Sequence, residues 1–187
     1  MHLRRLALVA LLGLMAGCGD DETTGPGGIV SGSFFFNFAG GISGTYTASG
    51  SFPTGAGLYT TSWAAGEVVT ADGETFIAAV APGSASTHNF VTLFAERITP
   101  GSVSIALPCS PTCGDFGFLF GVPNTGATAP TQTCFLTTGT INFSTLSSTR
   151  AVGTVSGSGD CSSATGAMTA FTVTGGTFDV PMVTGLP

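Results

Sequence analysis

From position 29 onward, apolar residues fall in short alternating runs separated by Gly, Pro, Ser or Asn. A period of two sends successive side chains to opposite sides, as strands with one buried face require. In Ser33-Phe34-Phe35-Phe36-Asn37-Phe38 the rings of Phe34, Phe36 and Phe38 share one face, and Ser33, Phe35 and Asn37 share the other. This strand is predicted as core, and Ser43 to Phe52 continues in the same style. Within Glu67 to Val80, Asp72-Gly73 suits a two-residue type I′ turn that pairs Val69 with Phe76 and Val68 with Ile77. Further strands are expected at Phe90 to Ile98, Ser102 to Leu107 and Phe116 to Val122, each bounded by Pro or Gly, and at Thr140 to Phe143 and Val152 to Val155. Thr174-Gly175-Gly176-Thr177 reads as another two-residue turn, setting Val173 opposite Phe178 and Phe171 opposite Val180. Pro181 lacks an N–H, so the last strand should lie at an edge or end there. With no amphipathic helix pattern, the reading is all-β: an antiparallel β-sandwich of about eight to ten strands, with a β-barrel as the alternative.

The first residues follow another rule. Arg4 and Arg5 precede an apolar run from Leu6 to Leu14, which gives way to small residues and Cys18. That order is an export signal, and the run falls short of the ~20 apolar residues a membrane-spanning helix needs. Leu14-Met15-Ala16-Gly17-Cys18 resembles the lipobox of bacterial lipoproteins, with Met15 where leucine is usual. The resemblance implies cleavage before Cys18 and lipidation of that cysteine, hence a membrane anchor. Gly19, rather than aspartate, after the cysteine points in such proteins to the outer membrane. An ordinary secretory peptide with a chance cysteine is the competing reading. Gly19 to Gly28 has no apolar side chain and several helix breakers, so it reads as a flexible tether. The expected organisation is a signal peptide over 1–17, a lipidated cysteine and tether over 18–28, and one β-domain over 29–187.

Charge narrows the function. The formal charge of the chain is −6, and loss of the two signal arginines takes it to −8 with only Arg97 and Arg150 left as cations. The sequence has no lysine, and two arginines cannot form the cationic footprint that phosphate backbones require, so nucleic-acid binding is excluded. Anionic headgroups would also repel this surface, which leaves membrane contact to the anchor. Only 7% of residues are charged, so the polar surface must be built mostly from Ser and Thr.

Apart from Cys18, the chain has Cys109, Cys113, Cys134 and Cys161, an even set that in an oxidising compartment reads as disulfides. If the hairpin around Ser147-Ser148 is symmetric, partner numbers add to 295, as do 134 and 161, so Cys134 and Cys161 should face one another. Cys109 and Cys113 would close a small ring across Pro111, provided the turn brings their Cα atoms within about 7 Å. A four-cysteine zinc site competes, but paired short spacings are missing at Cys134 and Cys161.

Candidate chemistry is sparse. Tyr46, Tyr59 and Trp63 suit stacking on sugars, or packing in the sheet with polar tips outward. His88, in Ser86-Thr87-His88-Asn89, is expected in a surface loop, and no Gly-x-Ser-x-Gly elbow accompanies it. Glu67, Glu74, Glu96, Asp115, Asp160 and Asp179 are candidate carboxylates for glycoside hydrolysis, but spacing selects no pair. Glu96 and Arg97 should point to opposite faces of one strand. Asp20, Asp21 and Glu22 read as a solvated charge run, and Asp72 and Glu74 as turn residues before calcium ligands. No catalytic, cofactor or metal residue is assigned.

Gly139-Thr140-Ile141-Asn142-Phe143, Gly153-Thr154-Val155-Ser156-Gly157 and Val173-Thr174-Gly175-Gly176-Thr177-Phe178, behind a lipobox and tether, resemble small all-β envelope lipoproteins of Gram-negative bacteria. That resemblance transfers no catalytic residue. The expected function is non-enzymatic: binding of an envelope protein or glycan, or a structural role, through a sheet face or its end loops. The alternative is a small envelope hydrolase using carboxylates.

Overall fold

The computed structural model describes residues 31–53, 57–69, 72–83, 86–106, 113–123, 130–184 and 186. Among these, ten strands and no helix are present: β1 Gly32–Gly40, β2 Gly44–Gly50, β3 Trp63–Val69, β4 Glu74–Pro82, β5 Thr87–Ala95, β6 Gly101–Ala106, β7 Gly114–Pro123, β8 Gln132–Leu146, β9 Arg150–Ser163 and β10 Met168–Pro181. The all-β expectation holds. All ten belong to one sheet, in the order β2-β1-β10-β9-β8-β6-β7-β5-β4-β3, with β7 also paired to β8. Only the β6–β7 contact is parallel among these pairings.

The architecture is close to the barrel alternative, because the sheet curls until its end strands nearly close on one another. The β3 edge lies against the ends of three other strands. A Cβ at Gly50 would come within 2.3 Å of the Ser62 carbonyl oxygen, and one at Gly32 within 2.0 Å of that of Ala64. Gly66 forms a parallel bridge with Met182, and Val183 donates its N–H to the Gly66 carbonyl at 2.7 Å. Closure of this kind occupies edges that would otherwise be left unpaired.

Rings fill the interior. Phe34 and Phe36 are fully buried and Phe38 nearly so, as the alternation predicts. They reach across to the opposite wall: Phe36 meets Phe116 and Phe118 edge-on at 5.4 and 5.3 Å, and Phe38 meets Phe118 at 5.2 Å. Phe178 stacks on Phe34 at 5.8 Å and Phe171 on Phe118 at 6.2 Å. Packing of opposite walls against each other is what makes a small barrel a core rather than a vessel.

Two expected registers are corrected. The hairpin at Asp72-Gly73 forms, but Val69 pairs with Glu74 and Val68 with Thr75, two residues from the predicted partners Phe76 and Ile77. A slip of two leaves every side chain on its own face, so the apolar pattern cannot distinguish the two registers. Thr174-Gly175-Gly176-Thr177 is not a turn. β10 runs straight through it, paired to β1 and β9, with a bulge between Val173 and Gly176 and Gly175 at φ +60°. One extra residue switches the inward set from Phe171 and Val173 to Phe178 and Val180, which is the parity change the sequence shows. β10 therefore lies inside the sheet and ends at Pro181.

Cys134 and Cys161 stand opposite each other and are joined by a disulfide with Cα atoms 3.9 Å apart. The symmetric hairpin is corrected in detail. Leu146 pairs with Ala151, and single-residue shifts at Ser144 and Thr137 bring the strands into the register that matches the cysteines. The hydroxyls of both extra residues donate to β9 carbonyls, Ser144 to Val152 and Thr137 to Ser158. Cys113 is also disulfide-bonded. Cys109 and the proposed 109–113 ring lie outside the described residues, as do Cys18, the signal, the lipobox and the tether.

Candidate binding face

The inward positions of the barrel are occupied by core, so chemistry must be sought on its outer surface. Strand register builds that surface row by row. Across β2, β1, β10, β9, β8 and β6 one row reads Thr47, Phe35, Thr177, Thr154, Asn142, Ser102. The next row toward the β10 bulge contains Thr45, Asn37 and Thr174, and beyond the bulge Ser156, Thr140 and Ser104. Another contains Ala39, Thr172, Ser158, Thr138 and Ala106. Neighbouring strands lie about 4.8 Å apart and same-face residues about 6.8 Å apart along a strand, so these side chains form a lattice of hydroxyls and amides.

Part of the lattice is held in place by its own hydrogen bonds. The Thr45 hydroxyl donates to Asn37 Oδ1 at 3.0 Å, and the Ser102 hydroxyl donates to Asn142 Oδ1 at 3.0 Å. Accepting through Oδ1 leaves each amide nitrogen directed elsewhere. Charge sits only toward the margins: Asp160 near one end, and the Arg150–Asp179 ion pair at 2.7 Å near the other. The Asp179 carboxylate, through that hydrogen bond, raises the Arg150 pKa above its ordinary value.

Phe35 breaks the polar pattern. Its ring is 37% exposed in the middle of β1, between Thr47 and Thr177 and flanked along the strand by Ser33 and Asn37. The sequence carried the signal for this, because the middle residue of Phe34-Phe35-Phe36 occupies the outward phase. The alternation puts it on the face of Ser33 and Asn37, and the sheet decides that Thr47 and Thr177 border it there.

The other aromatic candidates do different work. Tyr46 is buried against Phe36 at 5.0 Å with its hydroxyl inside the core, correcting the expectation of an outward tip. Burial also pushes its pKa well above the ordinary value. Trp63, Ala65, Ala78, Val80 and Phe90 are buried outside the central cluster, on the outer side of β3, β4 and β5. Phe52 packs edge-on to Trp63 at 5.0 Å, and the indole N–H donates to the Leu58 carbonyl at 2.7 Å. The connection between β2 and β3 thus covers this part of the barrel.

His88 is corrected from a surface loop to a strand. It is 3% exposed in β5, opposite Pro82, and Tyr59 stacks on its ring at 5.0 Å. The apolar pattern stops before it, but the β4–β5 ladder continues. Glu96 and Arg97 are likewise not strand neighbours, since β5 ends at Ala95. The chain bends there, and the guanidinium gathers the carbonyls of Thr99, Pro100 and Ser102. Glu96 accepts the Cys113 N–H at 3.3 Å through its carboxylate.

The candidate carboxylates are dispersed. Glu67 accepts the Leu186 N–H at 3.2 Å, Glu74 faces Val69, Asp115 faces Phe94, Asp160 faces Phe135, and Asp179 pairs with Arg150. Among the described residues no three His, Cys, Asp or Glu side chains gather as a metal site would require. What the structure does assemble is the neutral face around Phe35. Compared with protein-family models, curated proteins and solved structures, the chain matches none.

Proposed function

We propose that this protein is a lipid-anchored protein of the cell envelope that acts by non-enzymatic binding, with the barrel as a rigid scaffold and the outer face of β2-β1-β10-β9-β8-β6 as its contact surface. One observation carries the binding part: an ordered, almost uncharged lattice of hydroxyls and amides covers six adjacent strands of a barrel whose interior is filled by rings. A surface held by strands keeps its groups at fixed spacing, which lowers the ordering cost of binding. The anchor rests on Leu14-Met15-Ala16-Gly17-Cys18 and the tether after it, and Gly19 directs the reading to the outer membrane. The partner is an envelope protein or glycan, and no nucleic acid is involved.

Metabolic labelling with an alkyne palmitate analogue tests the anchor. The wild-type product should carry the label and partition with membranes, while Cys18→Ser should lose the label and be released. An unlabelled wild-type product removes the anchor from the proposal. Incubation of the purified protein with isolated envelope glycans tests the non-enzymatic part. No reducing ends should appear above the blank, and their steady release would make the protein a hydrolase.

A further inference from the structure

Resting on the binding reading above, we propose that the ligand of the outer face is a neutral polysaccharide chain, with the Phe35 ring as its stacking platform. Three features select this chemistry. Charge is the first: the face carries hydroxyls and amides, with its few charged groups marginal and Arg150 and Asp179 joined as an ion pair. A polyanion would meet a chain of formal charge −6, and a polycation would find no continuous acidic track on these rows. A neutral ligand is the charge-matched one.

Hydrogen-bonding capacity is the second. Each Ser or Thr hydroxyl both donates and accepts, so the lattice can answer sugar hydroxyls in either sense. The row from Thr47 to Ser102 crosses six strands and thus about 24 Å, long enough for several sugar rings.

The exposed ring is the third. A sugar ring presents C–H groups on one face and hydroxyls around its edge. Phe35, more than a third exposed and bordered by Thr47 and Thr177, offers an apolar plate with a polar margin. A protein partner would instead need an apolar patch at the heart of roughly 800 Å² per side. Here Phe35 stands among hydroxyls, and the other apolar side chains of the face are scattered singly, with Val152 beside Asp179 and Phe135 opposite Asp160.

Affinity electrophoresis of the full-length chain in a polyoxyethylene detergent tests the proposal, using native gels cast with hydroxyethyl cellulose, dextran, galactomannan or, as the acidic comparison, alginate. At least one neutral polymer should retard the wild-type protein, and raising the salt concentration should change this little. Phe35→Ser should weaken apparent affinity at least fivefold, whereas Val69→Ser, at an exposed apolar residue of β3 outside the six strands, should leave it unchanged. The double variant Thr47→Val, Thr177→Val keeps strand-forming residues and should also weaken retardation, which preserves the test if Phe35→Ser folds poorly. No retardation by any neutral polymer, retardation by alginate alone, or equal retardation of wild type and both variants overturns the proposal. Retention of the label at Cys18 with no binding would defeat this ligand class while leaving the anchor intact. Release of reducing ends during binding would defeat the non-enzymatic reading instead.

Discussion

Tyr46 shows what a single polar atom does inside this barrel. Its ring packs on Phe36 and Phe118, at 5.0 and 5.5 Å, while its buried hydroxyl has no hydrogen-bond partner among the described residues. An unpaired buried hydroxyl costs about 1–3 kcal/mol. Tyr46→Phe should therefore raise the unfolding free energy by about 1 kcal/mol, read from the urea midpoint at constant slope. A fall would mean that the hydroxyl has a partner. The pH dependence has a definite sign. Burial holds the folded-state pKa above the ordinary 10.0, so the unfolded chain releases this proton first. Stability from this group is complete below that value and is lost as pH rises from there toward the folded-state pKa. The loss should be absent in Tyr46→Phe. That Tyr46 packs in the sheet was legible from the alternation around it. The direction of its tip was not, because it depends on rings from β1 and β7.

At the scale of elements, β8, β9 and β10 form the longest strands of the sheet, and bulges set their registers. The Cys134–Cys161 bond closes a separation of 27 residues, worth ~3–4 kcal/mol by loop entropy. Replacement of both cysteines by alanine should lower stability by about that amount in urea unfolding. Reduction should cost at least as much as the replacement, because it also opens the disulfide of Cys113. In β10, Gly175 sits at φ +60°, a conformation that costs a residue with a side chain about 1–2 kcal/mol. Gly175→Ala should therefore destabilise by about that amount in thermal unfolding. No change would show that the bulge does not need the left-handed geometry. The parity change at this point was legible in the sequence. A two-residue turn and a one-residue bulge produce the same change, however, and only the pairing of β10 with both β1 and β9 decides between them.

The whole molecule depends on a seam between distant parts of the chain. β1 pairs with β10, so the sheet cannot be completed until both ends of the domain are available. At the seam, Gly32 and Gly50 let the carbonyls of Ala64 in β3 and of Ser62 just before it approach where a Cβ could not fit, and Val183 bonds to Gly66 in the same strand. Gly32→Val should force β3 away at a cost of about 1–3 kcal/mol. Hydrogen exchange would show the loss concentrated in β3, whereas protection in β8 and β9 should fall only with global stability. Uniform loss across the sheet would mean that closure is not a separate step.

The sequence by itself determined the strand-built class, most strand positions and which residues face inward, because these follow from period two; it also pointed to the pairing of Cys134 with Cys161, although two bulges in β8, and not the turn, bring them together. It also supplied the basis for the anchor, in Cys18 and the residues before it. Only tertiary structure decided that one sheet curls into a nearly closed barrel, that Gly175 marks a bulge, that His88 is covered, and that Phe35 stands amid aligned hydroxyls. Each of these depends on partners far away along the chain, and alternation fixes the side of a strand without naming its neighbour.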